Sequence, residues 1–256
     1  CSSDLQPIAT CRLCKNKAKL CRSHILSDLA YDGVLDCTKH PRMVVVHASR
    51  SGKVSDTRNQ TGYWERLLCA NCEGRLSKYE GYAAEKLFNE VLPFPQSEAD
   101  YLVTLYGLNY SLLKLFLLSL LWRVGVAQGE FFRCVNLGPH EEHLRQMLEQ
   151  ESPGEPDEYG CLIVPLLPEP GMDVRGLLSQ PFTTRTEGHN GVLLCFRGFA
   201  FHFFISRHAL RRGVAGSFLN RSGELRMLWS QIGKFAPLSA LWNRCVAAAR
   251  REAAAS

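Results

Sequence analysis

The sequence predicts an α+β protein with a metal-stabilised N-terminal module, a helical middle region and a small β-containing C-terminal region. Two Cys-x-x-Cys pairs lie in the first third of the 256 residues, an apolar run at 111–122 is typical of a buried helix, and strand-like runs follow residue 160. We predict a zinc-binding module at 1–95 and a mixed helical and β domain at 96–256. With 46% apolar residues, the chain can bury a sizeable core.

The cysteine spacing indicates a zinc site. Cys11 and Cys14 form one pair, and Cys69 and Cys72 form the other. Two thiolates at this spacing can reach one metal ion, and two such pairs supply the four sulfur ligands of a structural zinc site. The odd total of 11 cysteines, with no secretory segment at the start of the sequence, argues against a disulfide framework. We therefore expect a reducing, cytoplasmic compartment.

Other roles for the cysteines stay open. The two pairs could be redox-active or simply buried. Cys21 and Cys37 could compete as ligands, although neither has a partner at Cys-x-x-Cys spacing. The cysteines in apolar or helical surroundings, which we predict to be buried thiols, are Cys134, Cys161, Cys195 and Cys245.

Local patterns predict the elements of the first module. The stretch "CRSHILSDLAYD" is predicted to begin a short helix near Ser23, which can act as an N-cap. The stretch "RMVVVHA" at 42–48 is predicted to be a strand, followed by a polar loop. Residues 73–92 are predicted to form an amphipathic helix that ends at the "PFP" of 93–95. Its inner stripe consists of Leu76, Tyr79, Ala83 and Leu87.

The order of these elements indicates a treble-clef zinc finger, in which a second cysteine pair opens a helix. Four Zn–S bonds would fix the N-terminal strand to the start of the 73–92 helix, and the insert between them could vary in length.

The middle region is predicted to be helical and buried. Residues 98–127 are predicted to form one or two long helices, with a possible break at Gly107. Residues 111–122 are apolar on every side, so this helix should lie within the chain or against another subunit. Lys114 and Arg123 limit the run to fewer than the roughly 18 apolar residues that a membrane span needs, so we expect no membrane.

The last third combines short helices and strands. A polar helix is predicted at 139–151, with a proline at its start. Residues 161–167 and 191–206 are strand-like, and the second run is predicted to be either a hairpin or one bulged strand around Arg197-Gly198. A final helix is predicted at 238–255.

The charge distribution favours a polyanionic partner. Net charge is +5 over residues 1–80, −7 over 81–206 and +7 over 207–256. Two basic ends that flank an acidic middle indicate nucleic acid as the partner, although solvated charges that cluster by chance are the alternative. The predicted phosphate-binding residues, any of which could instead be a solvated loop residue, are Arg12, Lys15, Lys17, Lys19 and Arg22.

The motif "CRLC…SHILS…ERLLCANCE" resembles the zinc-stabilised branch of the HNH nucleases, which have the ββα-metal fold. It looks closest to bacterial, defence-type members, and the resemblance covers about residues 10–85. It implies a metal-dependent endonuclease that cleaves phosphodiesters, with DNA as the expected substrate and His24 as the general base.

The chain departs from this family at three positions. Ser23 stands where the family often has a metal-binding His or Asp, and Glu73 stands where it usually has a His ligand. The family's Asn, which orients the base, has no counterpart in "GYWERLLC" at 62–69.

A candidate site can also be assembled from the residues themselves. Glu73, Ser77 and Glu80 lie within about 60° of one another on the predicted helix. The carboxylates of Glu73 and Glu80 could hold Mg²⁺ or Mn²⁺, so that His24 accepts a proton from water. In the simpler alternative, Glu73 binds its own helix N-terminus, Glu80 pairs with an arginine, and His24 is a core residue or a zinc ligand.

Two functions follow from these patterns. The first is a zinc-stabilised HNH-like endonuclease in bacterial defence, with structural Zn²⁺ and a catalytic Mg²⁺ or Mn²⁺. The second is a non-catalytic zinc-finger scaffold, a subunit of a bacterial antiviral complex that binds a protein partner or oligomerises. The residues Ser23 and Glu73 favour the second.

Overall fold

The computed structural model describes residues 8–26, 30, 44–46, 54–56, 62–89, 92–168, 174–186, 188–206, 212–239 and 242–243. Within these ranges helices and strands are mixed along the chain, which confirms the α+β class. The helices are α1 (Ala70–Ala83), α2 (Tyr110–Val126), α3 (His140–Glu149) and α4 (Arg212–Ala215). The strands are β1 (Ile8–Thr10), β2 (Lys17–His24), β3 (Val44–Val46), β4 (Val54–Asp56), β5 (Trp64–Cys69), β6 (Leu102–Leu105), β7 (Cys161–Leu167), β8 (Leu177–Ser179), β9 (Phe182–Thr186), β10 (His189–Phe196), β11 (Phe199–Phe204), β12 (Leu225–Leu228) and β13 (Ser230–Gln231).

The N-terminal module is a three-stranded antiparallel sheet, in the order β1-β2-β5, that leads directly into α1. The predicted helix near Ser23 is wrong, because Ser23 lies in strand β2. Exposed Lys17 and Lys19 alternate there with half-buried Ala18 and buried Leu20, which is the period-two pattern of a half-buried strand. The alternation predicts the strand correctly here, whereas Ser23 as a potential N-cap residue does not mark a helix.

Helix α1 has the predicted amphipathic character. The four residues of its stripe are all buried, and Ala83 is followed by a π-helical turn over Ala84–Phe88. Helix α1 packs against α2. This contact joins the first module to the helical core.

Helix α2 is the centre of the core. Leu115, Leu118 and Trp122 are at most 3% exposed, so the prediction of a helix buried on every side is confirmed. The remainder of the predicted helical region is different: Leu102–Leu105 form β6, and Gly107 has a φ of 69° before the helix begins. This stretch, which includes the β-branched residues Val103 and Thr104, pairs with β12 instead.

Lys114 is buried in α2, although a charged side chain in this position needs partners. Its Nζ donates hydrogen bonds to the carbonyls of Pro156, Glu158 and Tyr159, at 3.1, 2.7 and 3.3 Å. Burial lowers the pKa of Lys114 to about 8. The lysine thus fixes the turn that leads from α3 to β7.

The C-terminal part contains a five-stranded sheet in the order β13-β7-β11-β10-β9. Strands β10 and β11 form a hairpin that turns at Arg197 and Gly198, where φ is 49° and 78°. These left-handed values belong to a tight two-residue turn, so the hairpin alternative is confirmed. The predicted final helix at 238–255 lies mostly outside the described residues.

Three further predictions concern burial and domains. Cys161 and Cys195 are buried as predicted, whereas Cys134 is exposed, which corrects that prediction. Cys134 lies in the turn after α2 and not in the helix, so the apolar run of α2 ends before this residue.

The largest hydrophobic cluster reaches from Cys11 to Met227 and so includes residues on both sides of the predicted boundary at residue 95. None of the described helices is long and apolar enough to cross a membrane.

His202 of β11 is a buried histidine of the C-terminal sheet. The side chain is 1% exposed, and burial lowers its pKa to about 4. Its Nε2 lies 2.8 Å from Thr184 Oγ1, while its Nδ1 has no hydrogen-bond partner among the described residues. A proton on this ring would therefore add a poorly solvated charge to the core.

We expect the folded protein to lose stability as the pH falls from about 6.5 to 4, because the unfolded histidine binds the proton in this range and the folded one does not. The loss should reach roughly 3 kcal/mol near pH 4. Urea unfolding between pH 7 and 4 measures it. The His202→Gln variant should show a smaller slope, whereas the His189→Gln control should keep the wild-type slope; equal slopes in all three proteins would contradict the assignment.

Candidate metal centre and the adjacent charged cluster

Four cysteines form a cluster at the junction of the first sheet and α1. Cys11 and Cys14 flank the turn between β1 and β2, while Cys69 ends β5 and Cys72 lies in the first turn of α1. Their Sγ atoms all lie within 4.8 Å of one another. The sequence-predicted ligand set is thus brought together, and Cys21 is not part of it.

The spacing of the sulfurs fits a zinc ion. Tetrahedral Zn–S bonds of about 2.3 Å place the sulfurs about 3.8 Å apart. Cys14 Sγ and Cys69 Sγ are 3.9 Å apart. Because all four groups are cysteines, the cluster could bind a metal such as zinc as a structural centre with no open position.

Backbone geometry prepares the first pair for this role. The Cys11 N–H donates to the Asn16 carbonyl at 2.9 Å, and the Lys15 N–H donates to the Cys11 carbonyl at 3.0 Å. Lys15 has a φ of 62°, so it adopts the left-handed conformation that closes the turn. The Cys69 N–H also points at Cys11 Sγ, at 3.4 Å.

The protonation of the thiols depends on their burial. Burial raises the pKa of Cys14 and of Cys72. Burial also acts to raise the pKa of Cys69, but hydrogen bonds from the Cys72 backbone and the neighbouring thiols outweigh it and lower that pKa. Metal binding must therefore displace protons, which makes the affinity fall at low pH.

Two arginines connect the cluster to α3. Arg75 donates to Cys72 Sγ at 3.7 Å and to the Glu149 carbonyl at 2.8 Å. Arg145 donates to the carbonyl of Leu13, between the first two cysteines, at 2.6 Å, and it also pairs with Glu142. A zinc ion bound by four thiolates would carry a net charge of −2, which the Arg75 guanidinium beside Cys72 would partly offset. Sequence patterns did not single out either arginine.

A second cluster of charged residues lies beside the metal centre, where β2 ends against α1. Ser23 is fully buried; its hydroxyl donates to Glu73 Oε2 at 2.6 Å and accepts from the Leu68 N–H at 3.2 Å. A side-chain hydrogen bond therefore links Glu73 of α1 to Ser23 of β2. Burial raises the pKa of Glu73, against the opposing effects of the Ser23 hydrogen bond and the Arg123 charge.

Glu80 pairs with an arginine, as one sequence-based alternative predicted, and the structure identifies this partner as Arg123. Arg123 of α2 is 1% exposed and forms an ion pair with Glu80. The same guanidinium donates to the backbone carbonyl of His24 at 2.8 Å. A lone arginine in an apolar helix is a signal for such a pair, because arginine is almost never buried without a partner.

The candidate catalytic carboxylates Glu73 and Glu80 therefore lie near each other, but each already has a side-chain partner. His24 is half-buried at the end of β2, and its charge acts to lower the pKa of Glu73. Ser77 is exposed and donates to the Glu73 carbonyl within its own helix, so it lies outside the cluster. The arrangement joins β2, α1 and α2 through buried polar contacts.

The predicted phosphate-binding residues lie on the same module. Lys15, Lys17, Lys19 and Arg22 are exposed, and Arg12 is half-buried with its N–H bonded to the Leu67 carbonyl. Comparisons with protein-family models, curated proteins and solved structures found no match to this chain.

Proposed function

We propose that this chain is a zinc-stabilised nucleic-acid-binding protein, in which an HNH-like arrangement serves as a non-catalytic scaffold. The turn with the first cysteine pair, the antiparallel strands β2 and β5, and a helix opened by the second pair support a treble-clef finger. Zinc is the expected ion, because four thiolates in a tetrahedral cluster suit it.

The non-catalytic assignment rests on the fact that both candidate cation ligands, Glu73 and Glu80, already have partners. Ser23 and Glu73, at the positions where the HNH family has cation ligands, are hydrogen-bonded to each other. The Glu80 carboxylate is bound by the Arg123 guanidinium, whose positive charge occupies the cluster. A divalent cation needs accessible carboxylate oxygens, and here Glu73 Oε2 already accepts from Ser23 while Glu80 is paired with Arg123.

The exposed basic residues support the nucleic-acid assignment. Lysine and arginine side chains on one small module contact phosphates in a sequence-independent way. Within a bacterial antiviral complex, a module of this kind would hold nucleic acid for a partner enzyme.

Hydrolysis is the second candidate, because His24 lies close enough to Glu73 to affect its pKa. In that case His24 would accept a proton from water, and Glu73 would hold Mg²⁺ or Mn²⁺ after the Ser23 hydrogen bond breaks.

A cleavage assay separates these two functions. We expect the purified zinc-loaded chain to leave labelled single-stranded DNA, duplex DNA and RNA intact in the presence of Mg²⁺ or Mn²⁺, and His24→Ala to behave identically. A general base contributes about 10²- to 10⁴-fold in rate. Cleavage that falls by such a factor in His24→Ala, but not in the matched control His189→Ala, would establish the nuclease instead.

A further inference from the structure

The exposed surface of the first sheet includes Trp64 and Arg66, to which the proposed function assigns no role. The solvent-exposed residues of this sheet come from β1, β2 and β5. These residues are Ile8, Thr10, Lys17, Lys19, Arg22, Trp64 and Arg66. They include four cations, one aromatic ring and no carboxylate.

Strand register determines this arrangement. Ile8 pairs with Lys19 and Thr10 pairs with Lys17, so these side chains project together. Farther along β2, Cys21 stands opposite both Leu67 and Leu68, so the extra residue of this bulge belongs to β5. Beyond the bulge Arg22 pairs with Arg66, and Trp64 follows two residues from Arg66, so these three side chains lie on one side of the sheet. Ser23 pairs with Glu65 on the opposite side, where it contacts the buried cluster.

Arg22 and Arg66 are direct cross-strand partners. Like charges directly opposite each other destabilise a sheet. An anion between the two guanidinium groups would relieve that repulsion. Arg66 is held by a hydrogen bond to the Leu20 carbonyl at 3.4 Å, so part of the cost of ordering it is met before a ligand arrives.

Trp64 adds an aromatic surface beside this pair. Its ring is 37% exposed, and the Arg22 guanidinium lies 3.9 Å from the ring centroid. Stacked arginine and exposed tryptophan are the groups on which unpaired bases stack in single-stranded complexes. Bases within a duplex have no open face for such a contact.

We infer that the side of the β2-β5 pair that carries Arg22, Arg66 and Trp64 binds single-stranded nucleic acid, with its phosphates on the two arginines and a base stacked on the Arg22–Trp64 pair. This inference rests on the proposed nucleic-acid-binding function and adds Trp64 and Arg66 to the predicted contact residues. It also selects single strands over duplexes.

Fluorescence anisotropy of the zinc-loaded chain tests the inference, with labelled 20-nucleotide oligo-dT, oligo-U and a 20-base-pair duplex as probes. Both single strands should bind more tightly than the duplex. Trp64→Leu should weaken their binding about 5- to 150-fold. The Arg22→Gln/Arg66→Gln double variant should also lower the salt slope by about 1.4, since each lost phosphate contact removes about 0.7 in single strands.

Arg133→Gln, which changes an exposed arginine outside the two basic ends, is the matched control and should bind like the wild type. Zinc content and circular dichroism confirm that each variant is folded. Duplex binding as tight as single-strand binding, or binding unchanged in Trp64→Leu, would overturn the assignment to this face while nucleic-acid binding stands. Absence of binding to all three probes at low salt would overturn the proposed function itself.

Discussion

Replacing Cys69 or Cys72 by serine is expected to unfold the N-terminal module and abolish zinc binding. Each variant removes one of four sulfur ligands from a cluster whose members lie within 4.8 Å of one another. A structural zinc site supplies on the order of 10 kcal/mol of folding free energy. Because whole domains are stable by only about 5–15 kcal/mol, this loss is large enough to unfold the region.

Elemental analysis and thermal unfolding measure the effect. The wild type should contain one zinc ion per chain, and both serine variants should contain none. Cys21→Ser is the matched control: this half-buried cysteine lies on β2 outside the four-sulfur cluster, so the variant should keep its zinc. A Cys72→Ser protein that melts like the wild type would show that the cluster does not stabilise the fold.

Replacing Arg123 by methionine should destabilise the protein by about 3–5 kcal/mol. The change leaves the Glu80 carboxylate, which is 16% exposed, without its cation, and it also removes the donor to the His24 carbonyl. An unpaired charge in such a site is costly because water solvates it poorly. Urea unfolding followed by circular dichroism measures the loss.

The double variant Arg123→Met/Glu80→Gln tests the mechanism. It should recover part of the stability, because the uncompensated charge is gone, although the His24 carbonyl still lacks its donor. The matched control is Arg133→Met, which breaks an exposed ion pair with Glu130 and should cost less than about 1 kcal/mol. Equal effects of Arg123→Met and Arg133→Met would contradict a structural role for the buried pair.

Patterns that repeat at short range were predictable from the sequence. The two cysteine pairs, the buried stripe of α1 and the all-round burial of α2 each follow from local spacing, whereas the sequence left the β10-β11 hairpin open against one bulged strand. The helix predicted near Ser23 is wrong because its cap-like residues are a short-range signal, whereas pairing with the distant β5 makes this stretch a strand.

The sequence by itself therefore determined which residues could form a metal centre and which faces had to be buried. The tertiary structure alone decided what the acidic residues do. Ser23 meets Glu73 across 50 residues, and Arg123 meets Glu80 across 43. No local periodicity encodes such pairs, because the partners come together only when α1 packs against β2 and α2. That packing converts two candidate cation ligands into internally compensated groups, since buried charges require partners wherever the fold brings them.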